Sequence, residues 1–184
     1  MNQEIINQID TTLKYIWKYD IKQDYDKSYL LKEDTLKNAL YYHLRNKLGA
    51  LLEKHNLRIY TEFTDNIFNR TNYRPDIVIA EINPESEECY LGNCVTKIVS
   101  IIEIKFKNDS YSAIKNIESD YDKIHWYIDN LSSDIKYYMA TIWEAEDDAT
   151  TWIRKNAAWA KGKLTELNAS YENDEMRFYV CDHK

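Results

Sequence analysis

Two opposite charges interrupt an apolar run of this chain. In the stretch SIIEIKFK, Ser100 to Lys107, Glu103 and Lys105 alternate with Ile102, Ile104 and Phe106. The β-branched and aromatic composition is that of a strand. Side chains alternate across a strand, so Ile102, Ile104 and Phe106 share one face, and Ile101, Glu103 and Lys105 share the other. Glu103 and Lys105 are then neighbours, roughly 7 Å apart along the strand. Burying an unpaired charge costs several kcal/mol, so the two need a partner or a ligand. Upstream, RPDIVIAEI over 74–82 makes a second strand. Pro75 lacks an amide donor and suits its start. Asp76 shares a face with Val78, Ala80 and Ile82. Antiparallel pairing of the two strands sets Asp76 beside Glu103. Two adjacent carboxylates repel unless a divalent cation lies between them, and oxygen-only ligands favour Mg2+ or Mn2+ over zinc. A nearby lysine then holds a water or helps to deprotonate it. The plainer alternative is a buried Glu103–Lys105 ion pair.

These strands need elements to hold them. Ile5, Ile6, Ile9, Leu13, Ile16 and Trp17 fall at helical spacing over 3–19, and KQDYDKS over 22–28 breaks the pattern. Leu36, Leu40, Leu44, Leu48, Leu51 and Leu52 form one stripe of a helix over 32–55. Residues 58–63 make a strand and NRTNYRP a turn. The strands at 74–82 and 97–107 flank an acidic loop, NPESEECYLGNC, longer than the usual roughly two to five residues of a hairpin. Ile114, Ile117, Tyr121, Ile124 and Ile128 mark a helix over 110–130, and DIKYYMATIW a fourth strand. A helix over 147–165 is expected to start at EDDATTW, capped by Asp147 or Asp148. MRFYVCD closes the chain as a strand. A strand joined through a helix to another strand implies a mixed sheet with helices on its faces. No Pro/Gly/Ser-rich linker divides residues 1–184, so a single domain is expected.

Composition removes several classes of function. With three glycines in 184 residues there is no Gly-rich phosphate loop, and neither a GxSxG nor a Walker pattern is present. His43, His55, His125 and His183 fit no HExxH or HxH pattern, which argues against a His-rich metal site. Cys89, Cys94 and Cys181 are odd in number with no CxxC, against a disulfide framework or a zinc knuckle. A reduced, cytoplasmic setting follows as the expectation. No window approaches the ~18 apolar residues of a membrane span, and MNQEIINQID is not organised as a signal peptide. The net charge of -7 argues against non-specific coating of nucleic acid. Basic residues nonetheless collect in 32–58 and in IRKNAAWAKGK.

Pro75-Asp76 followed by Glu103-Ile104-Lys105 resembles the PD-(D/E)xK nuclease superfamily. Its restriction-endonuclease-like core runs helix, three-stranded meander, helix, strand. The resemblance covers about 32–143, leaving the N-terminal helix 3–19 and the segment 147–182 as additions. It implies an α/β fold with a mixed sheet flanked by helices. It also implies that Asp76, Glu103 and the Ile104 carbonyl bind Mg2+, with Mn2+ able to substitute, and that Lys105 positions the attacking water. The family often adds a glutamate from the first core helix. Glu33, three and seven residues before Leu36 and Leu40, shares their inward stripe, whereas Asp34 falls on a more exposed flank. Glu62 is a further candidate for the metal shell. The activity implied is Mg2+-dependent hydrolysis of DNA, leaving 5′-phosphate ends.

One site cuts one strand, so a double-strand break takes a homodimer or two encounters. No helix-turn-helix or zinc finger is visible to read bases, which leaves target choice to DNA structure or to a protein partner. On the helix 110–130, Lys115, Asp120 and Lys123 lie off the apolar stripe. Lys123 is a candidate phosphate contact beside its plainer reading as a solvated residue. Arg154, Lys155, Lys161 and Lys163 on the expected helix 147–165 could track a DNA backbone, while Trp152 and Trp159 pack on the sheet. Two rival readings use the same scaffold without the chemistry: an inactive module binding nucleic acid or protein, and an immunity-type protein binding a basic partner.

Overall fold

Ile5, Ile9 and Leu13 build α1 (Gln3–Tyr15), and all three are buried. The helical path does not stop at residue 19. It passes through a π-helical stretch, Ile16–Ile21, into α2 (Lys22–Asp26). The wider i→i+5 turn keeps Ile16 and Ile21 on one face, both buried with Trp17. The expected break at 22–28 therefore comes late, at Ser28, where φ is 61°. Tyr25 gives the reason: its ring packs 6.4 Å from Phe106 and 6.1 Å from Phe178. The computed structural model describes residues 3–64, 68, 73–87, 91–108, 111–146, 150–153 and 157–183.

The leucine stripe forms α3 (Glu33–Lys54), burying Leu36, Leu40, Leu44, Leu48 and Leu52. Its start is closed by Thr35, whose Oγ1 accepts from the Leu31 and Lys32 amides at 2.9 and 3.0 Å. Six strands follow: β1 (Leu57–Thr61), β2 (Ile77–Ile82), β3 (Val95–Asn108), β4 (Lys136–Glu146), β5 (Leu164–Glu172) and β6 (Glu175–Asp182). They lie in one sheet in sequence order. The pairs β1–β2 and β2–β3 are antiparallel, β3–β4 and β4–β5 parallel, and β5–β6 antiparallel. The helix α4 (Tyr111–Asn130) connects β3 to β4, as a parallel pair requires. The expected mixed α/β sheet flanked by helices is thus present.

The sheet separates two cores. Ile102, Ile104 and Phe106 join α1 and α3 on one side. Val78, Ala80, Ile101 and Met139 join Ile117, Ile124 and Tyr127 of α4 on the other. The face assignment of β2 and β3 made from alternation holds.

The expected helix over 147–165 does not form. The described residues 150–153 and 157–163 run in bends and turns, and β5 begins at Leu164. Gly162 adopts φ 71°, a left-handed conformation that ends any helical path. Trp152 and Trp159 still pack on the second core, as expected. Lys161 and Lys163 sit in turns, so no shared helix face exists for them to track a DNA backbone. Arg154, Lys155, Asp147, Asp148, Cys89 and most of the NRTNYRP turn lie outside the described residues. Among the described residues, no helix is long and apolar enough to cross a membrane.

Candidate active site

The register sets the first pair of residues. Ile77 faces Ile102 and Val78 faces Ile101, so one step before the start of β2 Asp76 lies against Glu103. The Asp76 carboxylate takes the place of a strand: its Oδ2 accepts the Ile104 amide at 2.9 Å. A strand residue turns its N–H and C=O to the same edge. The Ile104 carbonyl therefore faces the edge of β3 that β2 has left open.

Glu103 is 1% exposed. Two residues of α4 reach it, four apart and hence on one helix face. Lys123 meets Oε2 at 2.6 Å, and the Tyr127 hydroxyl donates to Oε1 at 3.1 Å. Burial pushes the Glu103 carboxyl well above its ordinary range. Lys123 opposes the rise, and the Asp76 and Asp120 carboxylates add to it. Burial and the neighbouring Glu103 likewise push the Tyr127 phenol up, so it stays a hydrogen-bond donor.

Lys105 lies two residues on, on the same face. Its ammonium bridges Asp120 at 2.8 Å and Glu33 at 3.1 Å, and the side chain is 14% exposed. Burial pulls its pKa down, but Asp120 and Glu33 outweigh that and hold the ammonium charged. Glu33 arrives from the first turn of α3, over the open edge of β3. It engages Lys105 there, as its inward phase requires.

The same turn of α3 brings in a residue the sequence did not single out. Lys37 pairs with Glu62 and lies 3.4 Å from Asp76 Oδ1. Burial depresses its pKa and the two carboxylates raise it further, leaving it charged. Glu62 follows β1 at φ 51° and also binds Arg74 Nε at 2.6 Å. Burial raises its pKa, but Lys37, Arg74 and Lys123 hold it below the ordinary value. Lys123 further donates to the Arg74 carbonyl at 3.0 Å. It is a built part of the site rather than a solvated helix residue.

These groups open onto a cavity of about 560 Å³ lined by Glu33, Glu62, Arg74, Asp76 and Lys123, among others. Five carboxylates (Glu33, Glu62, Asp76, Glu103, Asp120) face four cations (Lys37, Arg74, Lys105, Lys123). The Glu103–Lys105 pairing that alternation allowed is not made; each charge finds its partner on a helix. Among the described residues, no three of these carboxylates bring oxygens within 4.8 Å of one another; Lys105 lies between Glu33 and Asp120, Lys37 between Glu62 and Asp76, and Lys123 holds Glu103. The donor set is nonetheless oxygen only, from Asp76, Glu103 and the Ile104 carbonyl, with Glu33 and Glu62 on the cavity wall. That is the chemistry of a hard divalent cation, and Asp76 Oδ1 is held only by a long contact, 3.4 Å, to Lys37. The residues fit such an ion provided Lys37 and Lys123 yield their places.

Of the histidines, His125 stacks on Trp159 at 4.5 Å, a packing role. No protein-family model, curated protein or solved structure matches the chain.

Proposed function

We propose that the protein is a Mg2+-dependent nuclease that hydrolyses DNA phosphodiester bonds at Asp76, Glu103 and Lys105, on a restriction-endonuclease-like core. The observation that carries this reading is the capture of the Ile104 amide by Asp76 at 2.9 Å beside a fully buried Glu103. It sets two carboxylates and a backbone carbonyl at one open strand edge, next to a cavity lined by both acidic and basic side chains. The order α3, β1–β2–β3 meander, α4, β4 supports it, since this is the order the resemblance implies.

Asp76, Glu103 and the Ile104 carbonyl would hold the Mg2+, with Glu33 at the cavity wall. The ion would polarise the scissile phosphate and make a water more acidic. Lys105 remains an ammonium between Asp120 and Glu33, so it orients the attacking water as a donor and does not accept its proton. Arg74 and Lys123 line the cavity and, with Lys37 behind Asp76, would supply charge for the phosphate backbone. One chain cuts one strand; a homodimer or a protein partner would set double-strand cutting and target choice.

The test is incubation with supercoiled plasmid and with single-stranded DNA under Mg2+, Mn2+ or EDTA. Metal-dependent cutting that is lost in Lys105→Ala is the expected result. Cutting by Asp76→Ala at the wild-type rate would remove the mechanism. The pairing of each site carboxylate with a protein cation favours a second reading, an inactive module of the same fold. That reading predicts DNA or protein binding without cleavage and no Mg2+ binding by calorimetry.

A further inference from the structure

A second group of chemically active side chains lies on the α4 side of the sheet, at the β5–β6 end. Glu166 and Cys181 are register partners across β5 and β6. His183 follows Cys181 by two residues and so shares its face. One ligand atom from each of the three lies within 4.8 Å of the others. His183 Nε2 is 2.6 Å from Glu166 Oε1, and both residues are buried.

The surroundings are built to fix this group. Glu166 Oε2 accepts from the Tyr121 hydroxyl at 2.7 Å, the Trp152 amide at 2.8 Å and Asn168 at 3.1 Å. Thr151 donates to Oε1 beside His183. Three donors on Oε2 lock the carboxylate plane and leave Oε1 to the imidazole and Thr151. The His183 backbone is tied at both ends: its amide donates to the Leu164 carbonyl at 3.2 Å, and its carbonyl accepts the Gly162 amide at 2.6 Å. Such outer contacts are what a metal-ligating carboxylate and histidine require to hold their orientation.

We propose that Glu166, Cys181 and His183 form a zinc site, separate from the Asp76–Glu103 centre. A carboxylate, a thiolate and an imidazole are the ligand types zinc takes, and three protein ligands leave a fourth position for water. On binding, the Cys181 thiol loses its proton to solvent. The His183–Glu166 hydrogen bond is replaced by one bond from each residue to the ion. Cys181 is not disulfide-bonded and is only partly buried, which gives the ion a path in.

The experiment uses the full chain, stripped with a chelator and desalted. Zn2+ is titrated against a chromophoric competitor, and Co2+ serves as the spectroscopic probe. The expected result is one saturable equivalent with a thiolate-to-cobalt band in the near ultraviolet. Cys181→Ser should abolish that band, and Cys181→Ser and His183→Gln should each weaken Zn2+ binding by at least ~tenfold. Loss in Cys181→Ser also separates this site from the remaining cysteines. Asp76→Asn should bind Zn2+ as wild type does, so failure here and failure of the nuclease reading are distinct. Circular dichroism of each stripped variant checks that it is folded. No saturable binding at micromolar Zn2+, or affinity and cobalt spectrum unchanged in both variants, would overturn the proposal.

Discussion

Glu103→Gln tests the electrostatics of the candidate site by sign as well as size. The carboxyl is 1% exposed, and burial raises its pKa well above 4.5 in the folded chain, Lys123 notwithstanding. Between that ordinary value and the raised one, the folded state holds a proton that the unfolded state has lost. The stability associated with Glu103 is therefore fully present below the ordinary carboxyl range and is lost as pH rises. The slope approaches the linkage limit of about 1.4 kcal/mol per pH unit while the folded state keeps its proton, so stability falls with pH from the ordinary carboxyl value up to the raised one. Glutamine keeps an acceptor oxygen for Lys123 and places its amide N–H toward the Tyr127 hydroxyl, which can accept, but it cannot ionise, which removes this slope. Urea unfolding of both proteins at pH 5, 6 and 7, in EDTA, isolates it as a difference, because other titrating groups contribute alike to both. The variant should gain on the wild type as pH rises. The opposing account is an ionised Glu103 paired with Lys123. Truncating a buried pair costs about 3–5 kcal/mol, so a variant that falls further behind as pH rises would refute the reasoning.

Three further outcomes follow from the same geometry. Mg2+ affinity measured by calorimetry should rise with pH, by up to ~tenfold per unit while a proton is displaced from Glu103; a flat profile would contradict the raised carboxyl. Lys105→Ala should lower the single-turnover rate of DNA cleavage by ~10²-fold or more while DNA affinity, measured in Ca2+, stays within a few-fold of wild type. Leu40→Ala removes a side chain with no exposed surface from the α3 stripe and should cost about 2–5 kcal/mol in unfolding free energy, with no change in Mg2+ affinity.

Much of the scaffold was legible because burial on one face imposes a period. The leucines of α3 repeat every three to four residues, and five of them are buried together. In β3 the period of two fixed the face of Glu103 and Lys105, and the antiparallel register then placed Asp76. Lys37 carries no such signal. It sits one residue after Leu36 and reads as an ordinary solvated lysine; its contact with Asp76, just ahead of β2, comes from the packing of α3 against that end of the sheet. Tyr127 was closer to hand. It lies three residues after Ile124 on the apolar stripe and four after Lys123, a pair whose common face points at Glu103. Lys123 reads from the sequence as a charge off the apolar stripe; its partner Glu103 emerges only from the packing of α4 on β3.

The strand β5 was missed for a related reason. In LTELNASYE, Glu166, Asn168 and Ser170 occupy one face and Thr165, Leu167 and Ala169 the other. Polar residues at alternate positions usually mark a face turned to water, but here that face is buried. A sequence pattern cannot reveal that another segment covers it. The polar groups survive burial because Tyr121, Thr151, Trp152 and His183 supply donors to Glu166. The same burial joins Glu166 to Cys181 and to His183, which follows the end of β6. In both regions the local rule is broken by an acidic residue in a strand interior, Glu103 in β3 and Glu166 in β5. Each break is matched by donors drawn from α4, at Lys123 and Tyr127 for the first and Tyr121 for the second. A solitary buried carboxylate would cost several kcal/mol; donors from this one helix offset that cost at Glu103, and at Glu166 they act together with Thr151, Trp152 and His183.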